Sequence, residues 1–192
     1  MRKVLREIFN TALYLLMIVI VTYLIVTYVG QRTVVNGASM EPTLIGASET
    51  DPDQVADNLI VDKLSYRFRD PERFDIIVFP FHGTDVIYIK RIIGLPGETI
   101  RISEDGIIYI KQAGADWEVL EEGYGKEVIQ NPGRAIEPIT LGEDEYFVLG
   151  DNRNNSADSR TQAVGNIHRD EIIGKAWIRI WPFSRFGVLE HQ

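Results

Sequence analysis

The chain has 192 residues, 45% hydrophobic and 25% charged, with 20 Lys and Arg against 28 Asp and Glu, a net charge of −8 and no cysteine. That length suits one domain with an appendage, and the composition excludes a disordered, collagen-like or many-span chain. The acidic balance argues against nucleic acid as a partner, and the lack of cysteine removes thiol catalysis, disulfide staples and thiolate metal sites together.

Between Glu7 and Arg32 lie 24 residues without a charge, 8–31. About 20 helical residues cross a bilayer core. A cleaved signal peptide has a shorter apolar part and ends at a small-x-small site, whereas Thr27, Tyr28 and Val29 close this run, so it reads as an uncleaved transmembrane anchor. Arg2, Lys3 and Arg6 precede it against Glu7 alone, and only Arg32 follows closely. That bias places residues 1–7 in the cytoplasm, 8–31 in the membrane and 32–192 outside the cytoplasm.

The remainder is acidic and made of short runs rich in Ile, Val, Tyr and Phe: NLIVDKLSY, DIIVFPF, DVIYIKRII, ETIRIS, GIIYIK, EYFVL and EIIGKAWIRIW. Pro, Gly, Asp and Asn separate them, which predicts a mostly β domain. Asp105-Gly106 between ETIRIS and GIIYIK predicts a tight antiparallel hairpin with positive φ at the turn. Residues 46–58 read as a solvated loop, as does most of 112–138 apart from a strand at 117–120. No repeat, heptad run or low-complexity tract is present, which argues against a solenoid or a coiled-coil stalk.

Three constellations carry possible chemistry. In NGASMEPTL, 36–44, Ser39 starts eight residues past the uncharged run, which keeps it within about 26 Å of the membrane at ~3.3 Å per extended residue. Gly37 and Pro42 give it an irregular, open backbone, as a nucleophile needs and as ordinary turn serines also have. A base is then required. His82, His168 and His191 read as turn or surface histidines; no zinc spacing exists, and Arg153 stands where a calcium loop needs an oxygen. In 86–93, strand alternation sets Lys90 on a face with Val86, Tyr88 and Ile92. Desolvation there favours a neutral amine able to take a serine proton, and a snorkelling edge-strand lysine is the competing reading. Arg91 cannot act as a base. The third constellation, GDNRNNSADSR at 150–160, reads either as a solvated loop or as a self-bonded scaffold beside an active site.

Taken in order, GASMEPTL at 37–44, RFDIIVF at 73–79, YIKRIIGLPGE at 88–98 and GDNRNNSADSR at 150–160, behind a single anchor, resemble the bacterial type I signal peptidases. The resemblance implies an antiparallel β-sheet catalytic domain of the signal peptidase type and a membrane-bound serine/lysine endopeptidase that removes signal peptides after a small-x-small motif. It implies Ser39 as nucleophile, Lys90 as general base, Ser156 as the residue orienting the lysine amine, an Asp158–Arg160 ion pair, and Asp151 and Arg91 as support. The Ser39 N–H is the implied oxyanion donor; Gly37 stands where some members carry a second, serine donor, and Phe74 stands where many have glycine, a change expected to be tolerated at a strand start. Val34, Val35, Met40, Tyr88 and Ile89 are the implied walls of the small-residue pockets. Preprotein signal peptides, the bilayer and the protein-export translocon are the implied partners, with no cofactor, metal or nucleic acid. Trp177, Trp181, Phe183 and Phe186 read as core packing, slightly ahead of contact with the lipid interface. Two rival readings are a self-cleaving repressor-like serine/lysine protein, which would carry a DNA-binding domain in place of the anchor, and an anchored β domain that binds envelope ligands without catalysis.

Overall fold

The computed structural model describes residues 2–48, 50–124 and 127–191; Met1, Glu49, Gly125, Lys126 and Gln192, which fall in the predicted N-terminal segment, in both predicted loops and at the end of the chain, lie outside them. With no glycine or proline before Gly30, the chain opens as helix α1, Arg2–Leu24, and closes it with a wider turn, Ile25–Val29. The apolar stretch Lys3–Val29 is 27 residues long, about 40 Å at ~1.5 Å per residue, enough to cross a membrane. Its described side chains are exposed along its length apart from half-buried Thr27. The helix ends two residues before the uncharged run does. Gly30 donates its N–H to Ile25 O and turns extended, and strand β1, Gly30–Val34, starts there.

The other strands are β2, Asn58–Asp62; β3, Ile76–Pro80; β4, Ile87–Gly94; β5, Thr99–Ile102; β6, Ile108–Lys111; β7, Glu118–Val119; β8, Ile139–Thr140; β9, Glu145–Leu149; β10, Ile167–His168; β11, Gly174–Trp181; and β12, Gly187–Val188. The larger sheet has the order β1-β2-β11-β3-β4-β9-β10, with β12 beside β11, and the smaller has the order β7-β6-β5-β8. Both are antiparallel throughout, as the alternating apolar runs require. Ile76 and Val78 of β3 feed one apolar cluster, Ile77 and Phe79 a second, so both faces of the central sheet are covered. A third cluster, including Ile100, Ile102, Leu141 and Phe147, joins the two sheets.

Several local expectations change. The β5–β6 hairpin forms, but five residues, 103–107, separate its paired ends: Ile102 faces Ile108, Gly106 N–H bonds Ser103 O at 2.9 Å, and only Gly106, at φ +79°, is left-handed. Residues 46–58 do not end as a solvated loop. Asp57 is fully buried, with Arg179 Nε 3.0 Å and Arg185 Nη2 2.8 Å from its carboxylate, because β11 and the chain after it fold across this segment. In 112–138 the strand is there, as β7, but Ile129 and Ala135 are buried in the third cluster. Trp177, Trp181, Phe183 and Phe186 are exposed, which overturns the core-packing reading: the register of β11 against β2 shifts between Ala176 and Ile178 and again between Arg179 and Trp181, and Ala176 is the β11 residue buried in the first cluster. Phe74 holds φ +70°, the left-handed region where a glycine carries no steric penalty, and its ring meets Tyr124 edge-on at 5.5 Å.

Candidate active site

The turn after β1 carries Ser39. Val35 and Met40 are buried beneath it in the first cluster. Glu41 N–H bonds Ala38 O at 3.1 Å and Leu44 N–H bonds Met40 O at 2.9 Å, which winds the turn tightly around the serine. Lys90 lies in β4, an interior strand between β3 and β9, and only 4% of it is exposed, so it is not a snorkelling edge lysine. Its register partner is Ile77, and Phe79 faces Tyr88 on the same side of the sheet.

From these two elements Lys90 Nζ reaches Ser39 Oγ at 2.7 Å and its own neighbour's carbonyl, Ile89 O, at 2.9 Å. The Tyr88 ring lies 5.0 Å from the same nitrogen. Burial pushes the Lys90 ammonium down from its ordinary 10.5 to about 8, against the pull of the Asp158 and Asp151 charges, which favour the proton. A neutral amine 2.7 Å from a hydroxyl is placed to take its proton.

The 150–160 segment is the self-bonded scaffold rather than a solvated loop. Arg91 holds Asp151 through two bonds, Nε–Oδ1 at 2.8 Å and Nη2–Oδ2 at 2.6 Å, with both side chains buried. Arg160 holds Asp158 the same way, at 2.8 Å on each oxygen. Paired, bidentate and buried, neither ion is left uncompensated. Ser156 departs from expectation. Its hydroxyl is buried without a hydrogen-bond partner among the described residues, so it makes no bond to the Lys90 amine, whose donors go to Ser39 and Ile89. Gly150 has a steric reason to be glycine: a Cβ there would stand 2.2 Å from Ser156 Oγ and 2.4 Å from Ser39 O.

Gly37 departs too. Its N–H is committed to Ala47 O at 3.0 Å, so it has no free donor for an oxyanion, whereas Ser39 N–H has no acceptor among the described residues. Three residues that sequence reasoning passed over complete the site. Asn152 clamps the serine turn twice, its N–H on Ser39 O at 3.1 Å and its Nδ2 on Ala38 O at 3.0 Å. Tyr124 lies 3.5 Å beneath the Arg91 guanidinium, and Glu122 pairs with buried Arg153. Asn152 stands inside a motif already singled out; Tyr124 and Glu122 lie in a stretch with no local signal.

Val34, Val35, Met40, Tyr88 and Ile89 all line one groove of about 680 Å³ together with Ser39 and Lys90. The histidines lie elsewhere: His82 meets Ala163 O, His168 sits by Asp144 and Glu145, and His191 accepts Ile76 N–H. Among the described residues no cluster of three or more His, Asp or Glu is set to hold a metal ion.

A family model described as signal peptidase, peptidase S26, matches residues 8–181. A probable signal peptidase I-2 of Synechocystis is 39% identical over 171 residues, 85% of this chain and 68% of that one. The signal peptidase I of Leptolyngbya laminosa is 38% identical over 173 residues, 85% of this chain and 74% of that one. A crystal structure of a signal peptidase I from Enterococcus faecalis is 33% identical and covers 56% of this chain and 97% of that one, at a TM-score of 0.44. By sequence kinship the protein is a hydrolase of peptide bonds. More particularly, the chain belongs to the signal peptidase family, peptidase S26, among the type I signal peptidases.

Proposed function

We propose that the protein is a membrane-bound serine/lysine endopeptidase that removes signal peptides from exported preproteins after a small-x-small motif. The observation that carries this reading is the 2.7 Å contact between Lys90 Nζ and Ser39 Oγ, with Lys90 buried and both residues lining one groove. Neutral Lys90 accepts the Ser39 proton while Oγ attacks the scissile carbonyl, and Ser39 N–H stabilises the oxyanion. The protonated amine then returns its proton to the leaving amine, and the neutral amine activates the water that hydrolyses the acyl-enzyme. The bond to Ile89 O holds the amine beside the serine hydroxyl. Arg91–Asp151 and Asp158–Arg160 hold the surrounding backbone and set the charge near the amine.

The substrate enters extended. β1 is the outer strand of its sheet and lines the groove, so a peptide can pair with its free edge while small side chains drop toward Val34, Val35, Met40, Tyr88 and Ile89. Residues 1–7 lie in the cytoplasm, the helix spans the bilayer, and the sheet domain faces outward beside the translocon from which preproteins emerge. Exposed Trp177, Trp181, Phe183 and Phe186 favour contact of that segment with the lipid interface. The test is cleavage of a model preprotein with an Ala-x-Ala site by full-length protein in detergent or lipid, beside Ser39→Ala, with products mapped by mass spectrometry. Cleavage after the second Ala by the wild type alone is expected; folded, inserted protein that cuts nothing refutes the proposal.

A further inference from the structure

β1 leaves the membrane-spanning helix and β2 runs back antiparallel to it, with Gly30 facing Asp62, so the chain leaving β2 turns at the point where the helix exits. That turn is tied to the helix end. Lys63 N–H bonds Val29 O at 2.9 Å, Lys63 Nζ bonds Thr27 O at 3.0 Å, and the Arg67 guanidinium lies 5.5 Å over the Tyr28 ring. Both carbonyls belong to the last helical turn, which has no internal donors left for them. The turn is rigid as well: Asp62 Oδ1 accepts the N–H groups of Leu64 and Ser65, and Tyr66 is rooted in the core with its hydroxyl on Asp75 at 2.7 Å.

On this fixed base the outward side chains are apolar and basic. Phe68 is 83% exposed and Leu64 is exposed beside it. Arg69 is engaged by Glu72 at 3.2 Å, whereas Arg67 has no ion pair among the described residues. The C-terminal aromatics do not share this place. Trp181 pairs with Asn58, four residues back along β2 from Asp62, about 13 Å away at ~3.3 Å per residue.

We infer that residues 63–68 form a lipid-docking turn, with Phe68 and Leu64 entering the interfacial layer and Lys63 and Arg67 meeting the phosphates of anionic headgroups. The inference rests on the reading of the helix as bilayer-spanning, which fixes this turn at headgroup level. Exposed apolar side chains among basic ones, held at that depth, match the chemistry of the interface. Docking there adds a second fixed point beside the helix, so the domain cannot swivel freely about its anchor.

The chain has no cysteine, so a single Phe68→Cys in the full-length protein takes one fluorophore. A second variant, Glu104→Cys at the exposed β5–β6 loop, is the reference. Both are reconstituted in neutral phosphatidylcholine vesicles and in vesicles with phosphatidylglycerol, and quenching by aqueous iodide and by a lipid-borne nitroxide is measured. In anionic vesicles the Phe68 label is expected to be shielded from iodide and quenched by the lipid nitroxide, unlike the Glu104 label. Adding Arg67→Glu should weaken that protection about fivefold or more, the share of one basic side chain near an anionic surface, and change nothing in neutral vesicles. A Phe68 label as open to iodide as the Glu104 label in both lipids overturns the inference, as does protection indifferent to lipid charge and to Arg67→Glu. Alkaline-carbonate extraction reports on insertion separately: protein that washes off overturns the anchor reading and this inference with it. Preprotein cleavage measured on the same vesicles tests the peptidase reading independently of the label.

Discussion

Lys90→Met is expected to stabilise the fold while abolishing cleavage. The unfolded chain keeps Lys90 protonated up to its ordinary 10.5, the folded chain only to about 8. Between those values the unfolded state holds more protons, so stability rises with pH; below about 8 the full penalty of a buried ammonium is present, and above about 10.5 none of it. A displacement of that size corresponds to about 3 kcal/mol at neutral pH. Methionine fills a similar volume without charge, but forfeits the bonds to Ser39 Oγ and Ile89 O, a loss of about 1 kcal/mol. The net gain at pH 7 is about 2 kcal/mol, or about 4–8 °C in Tm for a chain of this size, and it should shrink and change sign as pH approaches 10.5. Melting followed by tryptophan fluorescence in detergent, from pH 6 to 10.5, reads both the gain and its slope. A variant less stable than wild type at pH 7, or a difference that does not vary with pH, refutes the idea that Lys90 is held against its own solvation. Wild-type cleavage should rise nearly tenfold per pH unit below about 8 and level off above it.

Asn152→Ala removes the Nδ2 bond to Ala38 O while leaving the backbone bond to Ser39 O, so the serine turn loosens without unfolding. Steady-state cleavage should show kcat down by roughly tenfold with KM little changed, as expected when a nucleophile is misplaced. Asp151→Asn leaves buried Arg91 without its counter-charge, and denaturant titration should show a loss of about 3–5 kcal/mol. Gly37→Ser has open space around its new Cβ but a backbone at φ +72°; Tm should fall in line with about 1 kcal/mol of strain, and kcat should not rise.

The apolar N-terminal helix and the motifs were legible because their signals are local: an uncharged run of spanning length, alternating strands, and short boxes in a fixed order. The site's partners were not, because they depend on strand order. Whether Lys90 sits on an edge or in the interior turns on β9 arriving beside β4, which no spacing around residue 90 encodes. Asp57 looked like one more acid in a polar loop, and its partner Arg185 lies 128 residues away. Phe74 looked like a neutral departure at a strand start; its left-handed φ follows from the carbonyl it gives to Arg91 Nη1 at 2.9 Å and the N–H it gives to Ile92 O at 2.8 Å. Ser156 was named by a motif match, and its buried hydroxyl has no hydrogen-bond partner among the described residues.

Strand order also sets when the protein becomes active. β11 lies between β2 and β3, so the half-sheet next to the serine turn and the half-sheet with the lysine strand are joined by a segment that follows both in the chain. A chain still on the ribosome and not yet extended to β11 holds the serine turn and the lysine strand on separate pieces. Ribosome-stalled chains that stop short of residue 174 should therefore be inert toward preproteins, and activity should appear in one step once residue 181 has emerged. A peptidase assembled in this order is thus kept from cutting anything until β11 has closed its sheet.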